Sequence, residues 1–278
     1  MQGNTKNVIK RAVDLCMTVL LLCLMAYQVT GEVLHEWIGV GMTLLVIFHQ
    51  ILNIKWYKAT FKGKYNAYRI LSLVINIALI AAFGLTAFCG MSMSGHAVPF
   101  LYGMTKVSFA RRMHLSMSYW AFVLIGLHLG LHIPVIFAKF KMPNKLKIAV
   151  SVVSFSLAGV GLLLFLNSKT TDYLFFKVPF AFLDYEKAGA QVFLENILML
   201  LFWAFIGTQV AVICKNAQKK QEDKQNLLLP VVLILAAIVI GAGFYLMSNE
   251  KRNTDFGGTS WNPSPSRQTV ESSEVKDQ

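Results

Sequence analysis

Four histidines lie in two long apolar stretches of the chain at a repeated spacing. His35 and His49 are fourteen residues apart, and so are His114 and His128. At 3.6 residues per turn, fourteen residues make almost four helical turns, so both members of a pair share one helix face. The rise of about 1.5 Å per residue separates them by roughly 21 Å, near opposite sides of a bilayer core of about 30 Å. Two such helices side by side therefore present imidazole pairs at two depths.

Imidazoles paired in this way favour axial ligation of iron. We predict that His35 and His114 form one pair, called the outer pair, and that His49 and His128 form a second, called the inner pair. Each pair would hold the iron of one b-type haem between two helices of a bundle. The predicted metal ligands are these four histidines, and the predicted cofactors are two haem b groups.

A haem-free alternative uses the same histidines to transport protons or a metal, because ionisable groups inside a membrane are commonly functional. A metal transporter usually adds carboxylates or thiolates to its imidazoles. The two stretches that hold the four histidines have no acid in their interiors, since Glu36 is at an end of its stretch. The haem hypothesis is therefore preferred, with the haem-free transporter as the alternative.

Two other ionisable residues bear on the inner pair. His132 lies eighteen residues after His114, which is five full turns, so it shares the ligand face. It is a rival to His128 as the inner ligand, or a contact for a haem propionate or for a quinone as a further cofactor. Asp14 lies in the first apolar stretch, three residues after Arg11, and the sequence predicts an ion pair between these two.

Three residues near the outer pair are also candidate haem contacts. Arg111 precedes His114 by three residues on the same helical face, where it could bind an outer propionate, or it could mark the end of the span. Gly39 and Ser118 each follow an outer histidine by four residues. Small residues there would let a flat macrocycle approach the helix backbone, although small residues are common at helix contacts in membranes.

The composition indicates an all-α integral membrane protein. Of 278 residues, 55% are hydrophobic and 14% are charged, against about 25% charged in a soluble domain, and the mean hydropathy is +0.54. The net charge of +12 falls mainly in short segments between apolar stretches, which indicates membrane topology and no nucleic-acid binding. The four cysteines form neither CxxC nor CxxCH, so a zinc knuckle and covalent haem attachment have no support.

Seven apolar stretches are long enough to be transmembrane helices surrounded by lipid. The first four build a predicted four-helix haem-binding bundle over residues 1–136, three further helices occupy 137–250, and a polar tail over 251–278 is predicted to be disordered. The predicted spans are 12–29, 34–54, 69–91, 112–136, 147–166, 192–213 and 228–247.

Lysine and arginine predict the orientation, because cytoplasmic loops carry the excess of positive charge. Counted together, 16 of the 26 lysines and arginines fall in the segments that a cytoplasmic N-terminus places inside. The second and fourth spans then run in the same direction, so the members of each histidine pair match in depth. We therefore expect a multi-pass protein with a cytoplasmic N-terminus and an external tail.

Four segments of the chain resemble the flavinylation-associated cytochrome family: HEWIGVGMTLLVIFHQILN, WYKATFKGKYNAYRIL, MSMSGHAVPF and, the most specific, SYWAFVLIGLHLGLH. The resemblance covers roughly residues 1–215, and the histidine arrangement is also similar to ferric-reductase-type transmembrane domains. It implies a b-type cytochrome of a bacterial cytoplasmic membrane, whose relatives pass electrons to extracytosolic, covalently flavinylated proteins. Relatives commonly have tryptophan where this chain has Ile133, so an aromatic neighbour of the inner haem is absent.

The predicted function is transmembrane electron transfer. The electron donor and the electron acceptor must both be supplied from outside this chain. Its Gly-x-Gly pairs lie inside apolar spans, where no dinucleotide site forms, and no soluble part is long enough to hold a flavin. The expected donor is membrane quinol or a cytoplasmic-side dehydrogenase, and the expected acceptor is an extracytosolic flavoprotein. The chain is then an electron-transfer subunit, and the sequence leaves open whether it is itself an oxidoreductase.

Overall fold

A computed structural model describes residues 2–62, 65–137 and 142–221. Within these ranges the chain forms helices and connecting loops and has no β-strand, which confirms the predicted all-α class. The helices are α1 (Gln2–Met25), α2 (Tyr27–Leu52), α3 (Ile54–Thr60), α4 (Ala67–Met91), α5 (Val107–Phe137), α6 (Asn144–Asn167), α7 (Thr170–Leu174) and α8 (Gly189–Gln221), with a short 3-10 turn at Pro99–Leu101.

Five of the described helices are long and apolar enough to cross a bilayer, which fits a multi-pass membrane protein in contact with lipid. They correspond to the second to sixth predicted spans. The five are Tyr27–Leu52, Ala67–Met91, Val107–Phe137, Asn144–Asn167 and Gly189–Ala217.

The first and seventh predicted spans have no counterpart among these five helices. The first overlaps α1, which is not among the five helices because Lys6, Lys10, Arg11 and Asp14 lie in its first thirteen residues and leave a short apolar remainder. The seventh span, at 228–247, and the predicted tail lie outside the described residues. The count of seven spans and the division into three regions therefore stay predictions.

The chain reverses direction at Gly31, between the first two predicted spans. Its φ of 70° and ψ of 173° interrupt the helical path inside α2, and a positive φ suits glycine because it has no Cβ. On either side of this residue the two arms run antiparallel. Lys10 Nζ donates to Asn53 Oδ1 at 2.7 Å. Helix α1 is therefore held along α2 as a hairpin.

Helices α2 and α5 make little direct backbone contact. Helix α5 packs against α4 and α8, and α8 packs against α6, whereas α2 packs mainly on α1 and its backbone scarcely approaches α5 in the described chain. Met42 on α2 and Phe122 on α5 are buried in one apolar cluster. Because Met42 lies midway between His35 and His49 in sequence, this cluster forms an apolar layer between the two histidine levels.

The short helix α7 is bonded to the first half of α5. The carbonyl oxygen of Leu174 accepts hydrogen bonds from Ser116 Oγ at 3.1 Å and from Trp120 Nε1 at 3.0 Å. This carbonyl is at the C-terminal end of α7, where helical carbonyls have no partner within the helix. The two bonds satisfy it and attach α7 to the helix that carries His114.

Close packing of α5 on α8 predicts that Gly130→Ala lowers stability. A Cβ on Gly130 would meet the backbone carbonyl of Ala204 and lie 2.8 Å from Gly207 Cα. Backbone atoms cannot avoid the new Cβ by a rotamer change, as a side chain can, so α5 and α8 must separate. This separation should lower the free energy of unfolding by about 1–3 kcal/mol. We expect a lower Tm for thermal unfolding in detergent. The control Gly159→Ala adds a Cβ with nothing within 4 Å and should leave Tm unchanged or slightly higher. Equal Tm losses in both variants would contradict this packing.

Candidate histidine site

The structure brings the outer pair together. The ring centroids of His35 on α2 and His114 on α5 lie 6.0 Å apart, with 75° between the ring planes. An ion held at about 2 Å by one nitrogen of each imidazole places the ring centroids roughly 6 Å apart. The spacing therefore fits one metal ion between the two rings, although the backbones of their helices scarcely approach each other.

His114 is held in place by α4. Its Nδ1 lies 2.9 Å from the carbonyl oxygen of Thr86, and a Cβ added to Gly90 would lie 3.0 Å from the ring. Gly90 thus lets the imidazole rest directly on the helix. Because a carbonyl oxygen only accepts, Nδ1 carries the proton of the neutral ring, and Nε2 keeps its lone pair for a metal.

His35 presents a ring nitrogen without a protein partner. Its Nδ1 is buried and makes no hydrogen bond within the described residues, while the ring of Tyr27 packs edge-on at 5.0 Å between centroids. A buried polar atom that lacks a hydrogen bond costs free energy, so its presence calls for an explanation. A bound ligand at the outer pair would supply one.

His49 is paired with an acid from α1. Its Nδ1 lies 2.8 Å from Asp14 Oδ1, and Nε2 lies 3.3 Å from the amide nitrogen of Asn53. When Nδ1 donates to the carboxylate, Nε2 is the accepting nitrogen. The predicted pairing of Asp14 with Arg11 is wrong, because the hairpin places a histidine of the facing helix within hydrogen-bond reach of the carboxylate.

His128 is oriented by α4 as well. Its Nδ1 lies 2.7 Å from Asn76 Oδ1, an oxygen that accepts the ring proton and leaves Nε2 with its lone pair. His132 lies one turn further along α5, with its ring 4.7 Å from that of His128. His132 is exposed, whereas His128 is partly buried. These positions favour His128 over His132 as the inner ligand.

The inner histidines gather at one end of the bundle, but they are not in contact as the outer pair is. Asp14, His49 and Lys215 act electrostatically on His132, and His49 acts on His128. No ring contact joins His49 to His128 in the part of the chain that the structure describes. The depth match predicted for the inner pair therefore stays a prediction.

The remaining predicted contacts of the outer pair make ordinary helix interactions. The side chain of Leu24 lies 3.9 Å from a Cβ built on Gly39, and Ser118 Oγ donates to the carbonyl of Leu115 at 2.8 Å. Arg111 is exposed at the start of α5 and forms no ion pair with any described residue. Their predicted roles toward a macrocycle or a propionate stay predictions.

Glu36, the neighbour of His35, fastens the loop between α4 and α5 to α2. Its carboxylate also belongs to a cluster with Glu32 and His96 whose donor atoms lie within 4.8 Å of one another, a possible metal-binding triad. Four hydrogen bonds already satisfy the Glu36 oxygens, so we assign Glu36 to holding the loop. The donors are Ser94 Oγ (2.8 Å), Gly95 N (3.1 Å), His96 N (2.8 Å) and Ala97 N (2.9 Å).

The sequence reasoning missed three residues of α4 that support the ligand rings. Asn76 had a usable signal, because an amide inside an apolar span needs a hydrogen-bond partner. Thr86 and Gly90 had none, since the first acts through its backbone carbonyl and the second through its small size.

Comparisons of this chain with protein-family models, with curated proteins and with solved structures find no match.

Proposed function

We propose that this chain is a b-type cytochrome that carries electrons across a bacterial cytoplasmic membrane by way of two bis-histidine haem sites. The observation that carries the proposal is the outer pair. His35 and His114 come from helices whose backbones are apart, yet their ring centroids are 6.0 Å from each other. Haem b would supply the reversible one-electron chemistry of iron.

The hydrogen bonds of the rings support metal ligation. A metal-ligating histidine almost always donates its other ring N–H to a carboxylate, a carbonyl or water, which fixes the ring and its tautomer. Three of the four proposed ligands have such an acceptor at Nδ1. The acceptors are Asp14 for His49, the carbonyl of Thr86 for His114, and Asn76 for His128.

The positive charges around the inner pair support the proposed direction. Lys10 bonds to Asn53 beside His49, and Lys215 Nζ lies 4.5 Å from the ring centroid of Tyr68, whose hydroxyl donates to the carbonyl of Leu131. The inner pair is therefore at the lysine-rich end, which the positive-inside rule assigns to the cytoplasm. Electrons would enter there, from quinol or a dehydrogenase, and leave at the outer pair toward an extracytosolic flavoprotein.

One observation favours the haem-free alternative. Asp14, His49, His132 and Lys215 form a group of ionisable side chains, as a proton pathway requires. This group lies at one end of the bundle, and in the described chain the buried layer around Met42 and Phe122 contains no acid, histidine or lysine to continue it, with Tyr119 as its titratable side chain. Haem-mediated electron transfer therefore remains the better account.

The haem content of the purified protein tests the proposal. A pyridine haemochrome assay on the full chain in detergent should give two haem b per chain, because there are two histidine pairs. The reduced protein should not bind carbon monoxide, since both axial positions of each iron are taken. A colourless protein from haem-replete cells would overturn the proposal in favour of the transporter. Carbon monoxide binding at full haem content would indicate a gas sensor with an open iron position.

A further inference from the structure

We infer that Asp14 is a positioning residue for the inner ligand His49, and that its carboxylate makes the inner site the lower in reduction potential of the two. The inference rests on the proposed function, because it concerns how this chain adjusts the two sites to each other. It assigns a role to an acid of α1, a helix that carries none of the proposed ligands.

The carboxylate of Asp14 contacts the ring of His49 directly. Oδ1 and Nδ1 are 2.8 Å apart, and about half of the Asp14 side chain is exposed against 21% of His49. A carboxylate that accepts the Nδ1–H bond draws the proton toward itself and makes Nε2 a stronger electron donor. The Asn53 amide lies 3.3 Å from this Nε2, and a bound iron would take its place there. A stronger donor stabilises oxidised iron more than reduced iron, which lowers the potential of the site.

The other proposed ligands lack an acid at the ring. His114 donates to a peptide carbonyl and His128 to an amide, both of which are neutral acceptors. The Nδ1 of His35 has no hydrogen-bond partner in the described chain. Direct bonding of a ligand to a carboxylate therefore occurs at the inner site and is not seen at the outer pair.

Other charges near the two sites act through space and not through a ligand. Lys215 faces the inner site and opposes Asp14, as does Lys10, which bonds to Asn53 beside His49. Glu36 faces the outer site, but its carboxylate oxygens accept four hydrogen bonds from the loop between α4 and α5. Because the hydrogen bond to Nδ1 acts on the ligand ring itself, whereas these charges act from a distance, we give the direct bond to His49 the larger effect.

The consequence is a direction for electron flow. An inner site of lower potential passes electrons to an outer site of higher potential in a favourable step, which agrees with a cytoplasmic donor and an external acceptor. The asymmetry is built into the hairpin, because the packing of α1 on α2 is what brings Asp14 to His49.

A spectropotentiometric titration of the haem-loaded protein tests this inference. The parent should show two midpoint potentials. Asp14→Asn keeps an accepting oxygen but removes the charge, so the lower potential should rise toward the higher one, which should not move. Asp14→Glu retains the charge and is the matched control, with the lower potential staying near that of the parent. Asn76→Asp adds a carboxylate at His128 and should shift the lower potential further down.

The outcomes separate the inference from the proposed function. A parent without haem overturns the proposed function itself. Two haems in Asp14→Asn with an unchanged lower potential, or with a shift in the higher one alone, overturn the inference and leave the function standing. If Asp14→Asn loses a haem, the sign of the Asn76→Asp shift decides, and an unchanged or raised lower potential there overturns the inference.

Discussion

His114→Ala is expected to leave the protein with one haem per chain in place of two. The substitution removes the ring that lies 6.0 Å from His35 and that Thr86 holds against α4. The iron then keeps one axial imidazole, and no other described ring lies where it could replace the second. We therefore expect this haem to dissociate. Pyridine haemochrome content should fall by half, and the remaining signal should belong to the inner site.

Ligation of one iron by both histidines predicts more than ligation by each histidine separately. If His35 and His114 hold the same iron, His35→Ala must remove the same haem as His114→Ala, identified by its midpoint potential. The double variant must then lose no more haem than either single variant. Loss of different haems in the two single variants, or loss of both haems in the double variant, would show that these residues belong to separate sites.

The inner ligand is settled by the same assay. His128→Ala should lose the inner haem, whereas His132→Ala should retain both, because Asn76 orients His128 and His132 is exposed. His132→Ala is also a matched control for removing an imidazole from α5. Loss of a haem in His132→Ala with retention in His128→Ala would reverse the assignment.

Outward electron transfer in His114→Ala is expected to fall to the rate of vesicles without the protein. The two pairs are roughly 21 Å apart along the helix axis, and the layer between them holds buried Met42 and Phe122. Electrons that reach the inner site would then have no carrier at the outer end. Reduction of the inner site from the cytoplasmic side should proceed as in the parent.

Oriented vesicles provide the measurement. A reductant is supplied on the cytoplasmic side, an impermeant acceptor on the other, and reduction of the inner haem is followed optically in the same sample. His132→Ala is again the control and should transfer electrons at the parental rate. If His114→Ala reduces the external acceptor as fast as the parent, electrons do not travel through the outer pair.

The helices themselves were predictable from the sequence. In a bilayer the backbone has to satisfy its own hydrogen bonds, so a long apolar stretch becomes a helix whatever its neighbours are. The second to sixth predicted spans appear as helices, and the first reversal falls at Gly31, between two predicted spans. Fourteen-residue spacing also predicted that each histidine pair shares one face, because this depends on helical periodicity alone.

The hydrogen-bond partners of the histidines could not be predicted from the sequence. Local spacing offers Asp14 a partner three residues away, but the antiparallel packing of α1 on α2 gives it His49. Gly90 and the carbonyl of Thr86 support His114 through the way α4 is rotated against α5.

The sequence by itself determined which long segments are helical and which residues share a helix face, because periodicity and hydropathy are properties of one segment. Only the tertiary structure decided that His35 meets His114 and that α5 packs on α8 through Gly130. The rotation and axial shift of each helix depend on the side chains of all its neighbours packing together, and no single segment contains that information.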